Sequence, residues 1–182
     1  MPSYLFPKNY ADAVARWRVP SGFLLLGAFL WFANPTWQSI GYGAPLALLG
    51  LGLRAWAAGH LEKNEKVVSS GPYQYLRNPL YAGTLLVAAG LTLASCQWGL
   101  ALLFGAVFLG VYLPRMELED QHLRNLFADY PAYAEQVPLL LPRFPGLSSK
   151  GAFRWSLYLR NEEYNALAAF LVAMGFLVWR AA

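Results

Sequence analysis

The residues with the most chemistry in this chain stand in two short clusters. The first is the run Gly71-Pro72-Tyr73-Gln74-Tyr75-Leu76-Arg77-Asn78-Pro79-Leu80-Tyr81-Ala82-Gly83, where one arginine and three tyrosines sit among glycines and prolines. The second is the adjacent pair Glu119 and Asp120, followed by Tyr130 and Tyr133. A guanidinium presents a fork of donors to a carboxylate, a carboxylate pairs with an ammonium, and a phenol ring offers its face to a cation or an aromatic base. An adenosyl amino acid sulfonium carries all of the complementary parts. An arginine at a helix start, such as Arg77, is more often a headgroup anchor, and tyrosines at a membrane edge commonly form belts, so residue type alone leaves both uses open.

The elements that must position these clusters are apolar. The chain of 182 residues is 57% hydrophobic and 13% charged, outside the usual range of a soluble domain. An all-α, polytopic membrane bundle is expected, and the length suits a single domain over residues 1–182. The net charge of +4 is spread between apolar segments without a basic run suited to nucleic acid. Met1 to Arg18 is mixed in character, with Tyr4, Phe6, Tyr10 and Trp17 among Lys8, Arg16 and Arg18, and suits a membrane surface; it lacks the pattern of a cleavable signal.

Val19 to Leu53 is free of charge and broken by Asn34-Pro35-Thr36, which predicts two helices. Arg54 then lies near a helix end, where its stem reaches the headgroups. Asn78 to Pro114 is a second uncharged stretch, with a turn at Ser95 to Gly99 and small residues at Ala101, Gly105, Ala106 and Gly110 that suit close helix contact. Beyond Pro114, which can kink the helix, Met116, Leu123, Leu126 and Phe127 define an apolar face that carries Glu119 and Asp120, whereas Glu117, Gln121 and Arg124 fall on the other side. Carboxylates on a buried face require a cation or several donors, which makes this pair a site candidate. A proline-punctuated stretch through Pro142 suits a wrapping segment, Phe153 to Arg160 an interfacial helix, and Tyr164 to Trp179 a fifth, short span. With five spans, every Lys and Arg except Arg180 falls on one side, so the positive-inside rule puts the N-terminus and both clusters in the cytoplasm.

The first run resembles the signature G-P-Y-x-Y-x-R-H/N-P-x-Y-x-G of the isoprenylcysteine carboxyl methyltransferase and phospholipid methyltransferase superfamily. Glu119-Asp120-x-x-Leu123, Tyr130-x-x-Tyr133 and Val137-Pro138 to Pro142 are similar to its E-E-x-x-L, Y-x-x-Y and V-P-x-x-x-P elements, so the resemblance spans about Arg54 to Arg143. It implies a membrane bundle holding S-adenosylmethionine at its cytoplasmic face, with a lipid-like or prenylated acceptor entering from the bilayer. Gly71, Pro72 and Tyr73 would shape the loop beside the cofactor, Arg77, Asn78, Pro79 and Tyr81 would adjoin its amino acid part, and Glu119 with Asp120 would pair with its ammonium or order Arg77. Tyr130 and Tyr133 would complete the cofactor contacts; Arg77, Tyr81 and Glu119 would carry the catalytic roles. Asn78 replaces the commoner His and Asp120 the second Glu, and near Ala128 the family more often has Gly. The change at Asn78 removes a group able to titrate near neutrality.

Methyl transfer from a sulfonium is an in-line displacement that needs alignment and exclusion of water, not a covalent nucleophile. Ser69, Ser70 and Cys96 are accordingly not read as catalytic. Cys96 has no partner for an internal disulfide, and His60 and His122 are too few to suggest a metal site. His60 reads as structural, His122 as solvated, and Glu162 and Glu163 as a charged helix start that also has access to the site. Two rival functions share the pattern: a membrane sterol or steroid reductase using a nicotinamide nucleotide, and a non-enzymatic membrane scaffold.

Overall fold

The computed structural model describes residues 6–182; Met1 to Leu5, with Tyr4, lie outside the described residues. All regular structure among the described residues is helical. The chain begins with α1 (Lys8–Ala15) and α2 (Arg18–Phe32), followed by α3 (Trp37–Ala58). A polar loop and a 3-10 turn (Gly71–Gln74) lead to α4 (Pro79–Ala94). Then α5 (Trp98–Val107) passes through a π-helical turn (Phe108–Tyr112) into α6 (Leu113–Leu126). The short α7 (Tyr130–Gln136), α8 (Trp155–Arg160) and finally α9 (Tyr164–Ala181) complete the chain.

Both expected breaks fall where polar and small residues interrupt the apolar runs. Thr36 caps α3 reciprocally with Ser39: the Ser39 amide donates to Thr36 Oγ1 at 3.0 Å and the Thr36 amide to Ser39 Oγ at 2.9 Å. Ser39 Oγ also donates to Ala94 O at 2.8 Å, and the Asn34 amide donates to Ser95 O at 2.8 Å, so the two turns at this end are tied together. Arg180, at the end of α9, donates to Leu30 O at 2.8 Å and joins the same end. Ala33, Ile40, Ala94 and Leu177 form the core there.

The central hairpin of α3 and α4 is held by contact between backbones. A Cβ built on Gly43 would stand 2.3 Å from Gly90 O, and one on Gly50 would stand 2.6 Å from Gly83 O. With no side chain at these four positions, dispersion contacts accumulate along the whole seam. The expected close contact at Gly105 and Gly110 is not found: a Cβ at either would meet nothing within 4 Å. The difference lies in spacing. Gly43 and Gly50 face Gly90 and Gly83 at intervals of two helical turns, with Ala47 against Gly90 and Ala94 against Gly43, whereas the four-residue steps on α5 meet no neighbouring helix closely at Gly105 or Gly110.

The outer surface is apolar. Phe23, Trp31, Leu49, Leu109 and Val172 are exposed, Leu102 is 76% exposed, and Trp98 at the start of α5 is 85% exposed. Trp37 and Trp179 add exposed rings to the same end as Trp31 and Trp98, an arrangement suited to a membrane boundary. Among the described residues, two helices are long and apolar enough to cross a membrane, Trp98–Leu126 and Tyr164–Ala181; Val19–Phe32 and Pro79–Ala94 are shorter apolar helices. Large exposed apolar surface of this kind marks contact with lipid or another protein.

Pro114 meets the π-helical turn directly. Proline lacks the amide that would reach Gly110 O in an α-helix. Tyr10 Oη from α1 donates to that carbonyl at 3.1 Å instead. The consequence is that α1 is docked along α6, not merely placed at a surface.

Gly43→Ala and Gly90→Ala should each destabilise the fold by roughly 1–3 kcal/mol, because a methyl group must displace backbone, whereas Gly105→Ala should be close to neutral. Thermal unfolding in detergent measures the contrast, and equal effects at all three positions would contradict the proposed seam.

Candidate functional site

At the end of the bundle opposite the tied turns, one cavity of about 820 Å³ collects residues from α1, α3, α4, α6, α7 and the segments between helices. Its walls are Asp12 of α1, Arg54 of α3, the loop from Leu61 to Val68, and Tyr73, Arg77, Asn78 and Pro79 of the motif. Leu80, Tyr81 and Thr84 of α4, Tyr112, Arg115, Leu118, Glu119, His122 and Leu123 around α6, Tyr130 and Tyr133 of α7, and Asn161 and Glu163 before α9 complete it. The structure thus brings together eight sequence-predicted residues: Tyr73, Arg77, Asn78, Pro79, Tyr81, Glu119, Tyr130 and Tyr133. Gly71, Pro72 and Asp120 are not among the lining residues.

Each of those three supports the wall from behind. Gly71 has φ +60°, a conformation side chains rarely adopt, and a Cβ there would stand 2.7 Å from His60 Nδ1. Pro72 is fully buried at the start of the 3-10 turn. His60 is buried with Nδ1 2.9 Å from Trp56 O, which matches its structural reading. The turn is then gripped by the proline-rich segment: Arg77 and Asn78 amides donate to Pro138 O at 2.8 Å and Leu139 O at 3.1 Å, and the Arg143 amide donates to Tyr75 O at 3.0 Å. The expected wrapping segment therefore pairs with the motif along its backbone.

Asp120 is buried and accepts from three side chains. Arg77 Nη1 and Tyr130 Oη both donate to Oδ1, the latter at 2.8 Å, and Arg124 Nε donates to Oδ2 at 2.8 Å. A buried carboxylate with two cations and a phenol has its charge fully answered. The two acidic neighbours therefore differ in surroundings: Asp120 holds Arg77, while Glu119, whose side chain is 39% exposed, faces the cavity. Glu119 Oε1 accepts from Tyr81 Oη at 3.1 Å and lies 3.5 Å from Arg115 Nε.

Two expectations are corrected here. Arg54 does not extend to headgroups: its Nε and Nη2 pair with both oxygens of Glu163, and Nη1 donates to Thr84 Oγ1 and to Leu80 O at 3.2 Å. The partner comes from the residue that precedes α9, which the sequence places far away; the available signal was an arginine inside an apolar helix, which demands a counter-charge. Glu117, expected on the outer side of α6, is buried and accepts from the Phe6 amide at 3.1 Å, because α1 covers that second face. Arg115 and Asn161 are cavity residues that the motif did not indicate. His122 is exposed at the cavity, consistent with its solvated reading. Glu162 is exposed beside the buried Glu163.

The phenols are held neutral. Burial raises Tyr73 above the ordinary tyrosine range, with Tyr133 nearby adding to it. Burial and the Asp120 carboxylate raise Tyr130, and burial with Tyr130 raises Tyr133. As protonated groups they donate, Tyr130 to Asp120 and Tyr133 Oη to Tyr73 O at 2.7 Å. No group of three or more His, Cys, Asp or Glu able to hold a metal occurs among the described residues. The cavity offers cations, carboxylates and aromatic faces together, a set whose chemistry suits a polar ligand.

The family described as phospholipid methyltransferase matches residues 43–130. The cobalt-zinc-cadmium resistance protein CzcN of Cupriavidus metallidurans is 30% identical over 159 residues, covering 82% of this chain and 71% of that protein. Protein-S-isoprenylcysteine O-methyltransferase B of Arabidopsis thaliana is 31% identical over 119 residues, covering 58% of this chain and 60% of its own. The chain belongs to the isoprenylcysteine and phospholipid methyltransferase superfamily. A further superfamily relative, the protein-S-isoprenylcysteine O-methyltransferase of Schizosaccharomyces pombe, is 27% identical over 125 residues, covering 68% of this chain and 48% of its own. No solved structure matches the chain significantly. The superfamily match runs from Gly43, inside the glycine seam, to Tyr130, so it contains Arg77, Tyr81, Glu119 and Asp120 and excludes Asp12 and Glu163.

Removing the carboxylate by Asp120→Ala should cost about 3–5 kcal/mol, the scale for breaking a buried ion pair, and denaturant unfolding should show it. The same measurement on Glu119→Gln should show less than about 1 kcal/mol, since that pair is partly exposed. Alkaline titration gives a second check. Raised folded-state tyrosines stabilise fully below their unfolded value of about 10, and stability declines as pH rises above it because the unfolded chain releases those protons first. Tyrosinate absorbance should therefore show Tyr73, Tyr130 and Tyr133 ionising only with unfolding.

Proposed function

We propose that the chain forms one membrane-embedded domain of about five spanning helices that methylates a lipid-like or prenylated acceptor using S-adenosylmethionine. The single observation that carries this reading is that both motif halves line one cavity at the polar end of an apolar bundle. The orientation follows from charge: Arg180 sits at the tied end, the remaining described cations at or near the cavity end, so the N-terminus and cavity face the cytoplasm.

The residues present fit the donor. Arg77 Nε and Arg115 Nε are buried without a hydrogen-bond partner in a wall that also carries Glu119. Arg77, with Asn78 beside it, receives a carboxylate; Glu119 receives an ammonium; Tyr73, Tyr130 and Tyr133 give aromatic faces. Bound there, S-adenosylmethionine supplies an activated methyl group on a positively charged sulfur. Asp120 keeps the Arg77 fork from turning away, and Tyr81 fixes the carboxylate of Glu119 through its hydroxyl. The apolar walls around Leu80, Leu118 and Leu123 exclude water from the reacting groups. Nothing in this arrangement calls on a covalent nucleophile; alignment and water exclusion are the protein's contribution.

Calorimetry on the purified protein should give micromolar-scale affinity for S-adenosylmethionine or S-adenosylhomocysteine and none for nicotinamide nucleotides; absence of binding by both adenosyl compounds would sink the reading. Arg77→Ala and Glu119→Ala should each reduce affinity or turnover at least about tenfold, roughly 1.4 kcal/mol. The acceptor is found by incubating a lipid extract with labelled donor and following the mass gain of one methyl group.

A further inference from the structure

The carboxylates of the cavity wall are Asp12, Glu62, Glu119 and Glu163. Three of them are already answered by cations. Glu62 pairs with Lys66 and Arg154, Glu119 with Arg115, and Glu163 with Arg54. Asp12 has no cation partner among the described residues.

Its position is set by the rest of α1. Ala11, the next residue, is buried, and Phe6 stacks on Tyr10 at 5.7 Å between ring centroids. The Phe6 amide donates to the buried Glu117 carboxylate, and Tyr10 Oη donates to Gly110 O, the carbonyl that Pro114 cannot serve. These two bonds tie α1 and the residues just before it to α6 and its π-helical turn. Docked there, α1 has Asp12 on the cavity side.

We propose that Asp12 is a ligand contact: α1 forms a wall of the binding site, and the Asp12 carboxylate receives positive charge of the methyl donor. The inference rests on the methyltransferase reading above. S-adenosylmethionine carries a sulfonium besides the ammonium that Glu119 receives, and a carboxylate with no cation partner attracts this second positive charge more strongly than one that a guanidinium already pairs. Asp12 lies outside residues 43–130, so the region matched to the family does not supply this contact. The N-terminal segment, which the sequence suits to a membrane surface, thereby becomes part of the donor site.

The experiment is calorimetry on the full-length chain in detergent with S-adenosylmethionine, for the unaltered protein and three variants. Asp12→Asn removes the charge at nearly constant shape and should weaken binding at least about fivefold. Asp12→Glu restores the charge and should retain most of the affinity. Glu135→Gln makes the same change in net charge on an exposed α7 residue outside the cavity wall and should have no effect. Unchanged affinity in Asp12→Asn, an Asp12→Glu as weak as Asp12→Asn, or an equal loss in Glu135→Gln would overturn the inference while leaving the methyltransferase reading in place. Failure of the unaltered protein to bind overturns both.

Discussion

The site depends on one carboxylate having more donors than it needs. Asp120 gathers Arg77 from the motif turn, Arg124 from its own helix and Tyr130 from α7. Those three groups come from segments that make no continuous secondary structure with each other. Burying any one alone would be costly; buried together around a shared acceptor they define a single arrangement of turn, α6 and α7. Because the Arg77 guanidinium is anchored from behind, the cavity presents a fixed cation instead of a flexible one, and a fixed donor set loses less entropy when a ligand binds.

The backbone supplies a second layer of the same logic. The 3-10 turn satisfies the Tyr73, Tyr75 and Leu76 amides internally, and the segment from Pro138 to Arg143 partners the Arg77 and Asn78 amides and the Tyr75 carbonyl that it leaves over. Gly71 allows the turn to pass the His60 ring, and Tyr133 closes the arrangement by donating to Tyr73 O. Polar backbone at the edge of an apolar bundle must be satisfied, and here its satisfaction and the shape of the cavity are one construction.

Much of this was legible in the sequence because the interruptions were strong signals. Uncharged runs broken at Asn34 to Thr36 and at Ser95 to Gly99 located both turns, although the hairpin that packs is α3 with α4, and the resemblance of the Arg77–Tyr81, Glu119 and Tyr130–Tyr133 elements to a family signature pointed to residues that now line one cavity. What was not legible required knowing which helices touch. Glu117 looked solvent-facing because α6 alone shows one apolar stripe, and only the docking of α1 buries its second face. Arg54 looked like a headgroup anchor because its partner, Glu163, is distant in sequence. Small residues on α5 fitted the usual four-residue pattern, whereas the seam that forms uses a two-turn interval on α3 and α4.

That seam also bears on traffic from the lipid. Where Gly43 meets Gly90 and Gly50 meets Gly83, a single added carbon would already overlap backbone atoms, so no hydrocarbon tail can thread between α3 and α4. This boundary is shut at both contacts. Any apolar chain that reached the cavity sideways would have to pass a different pair of helices, with the α3–α4 hairpin as a fixed jamb.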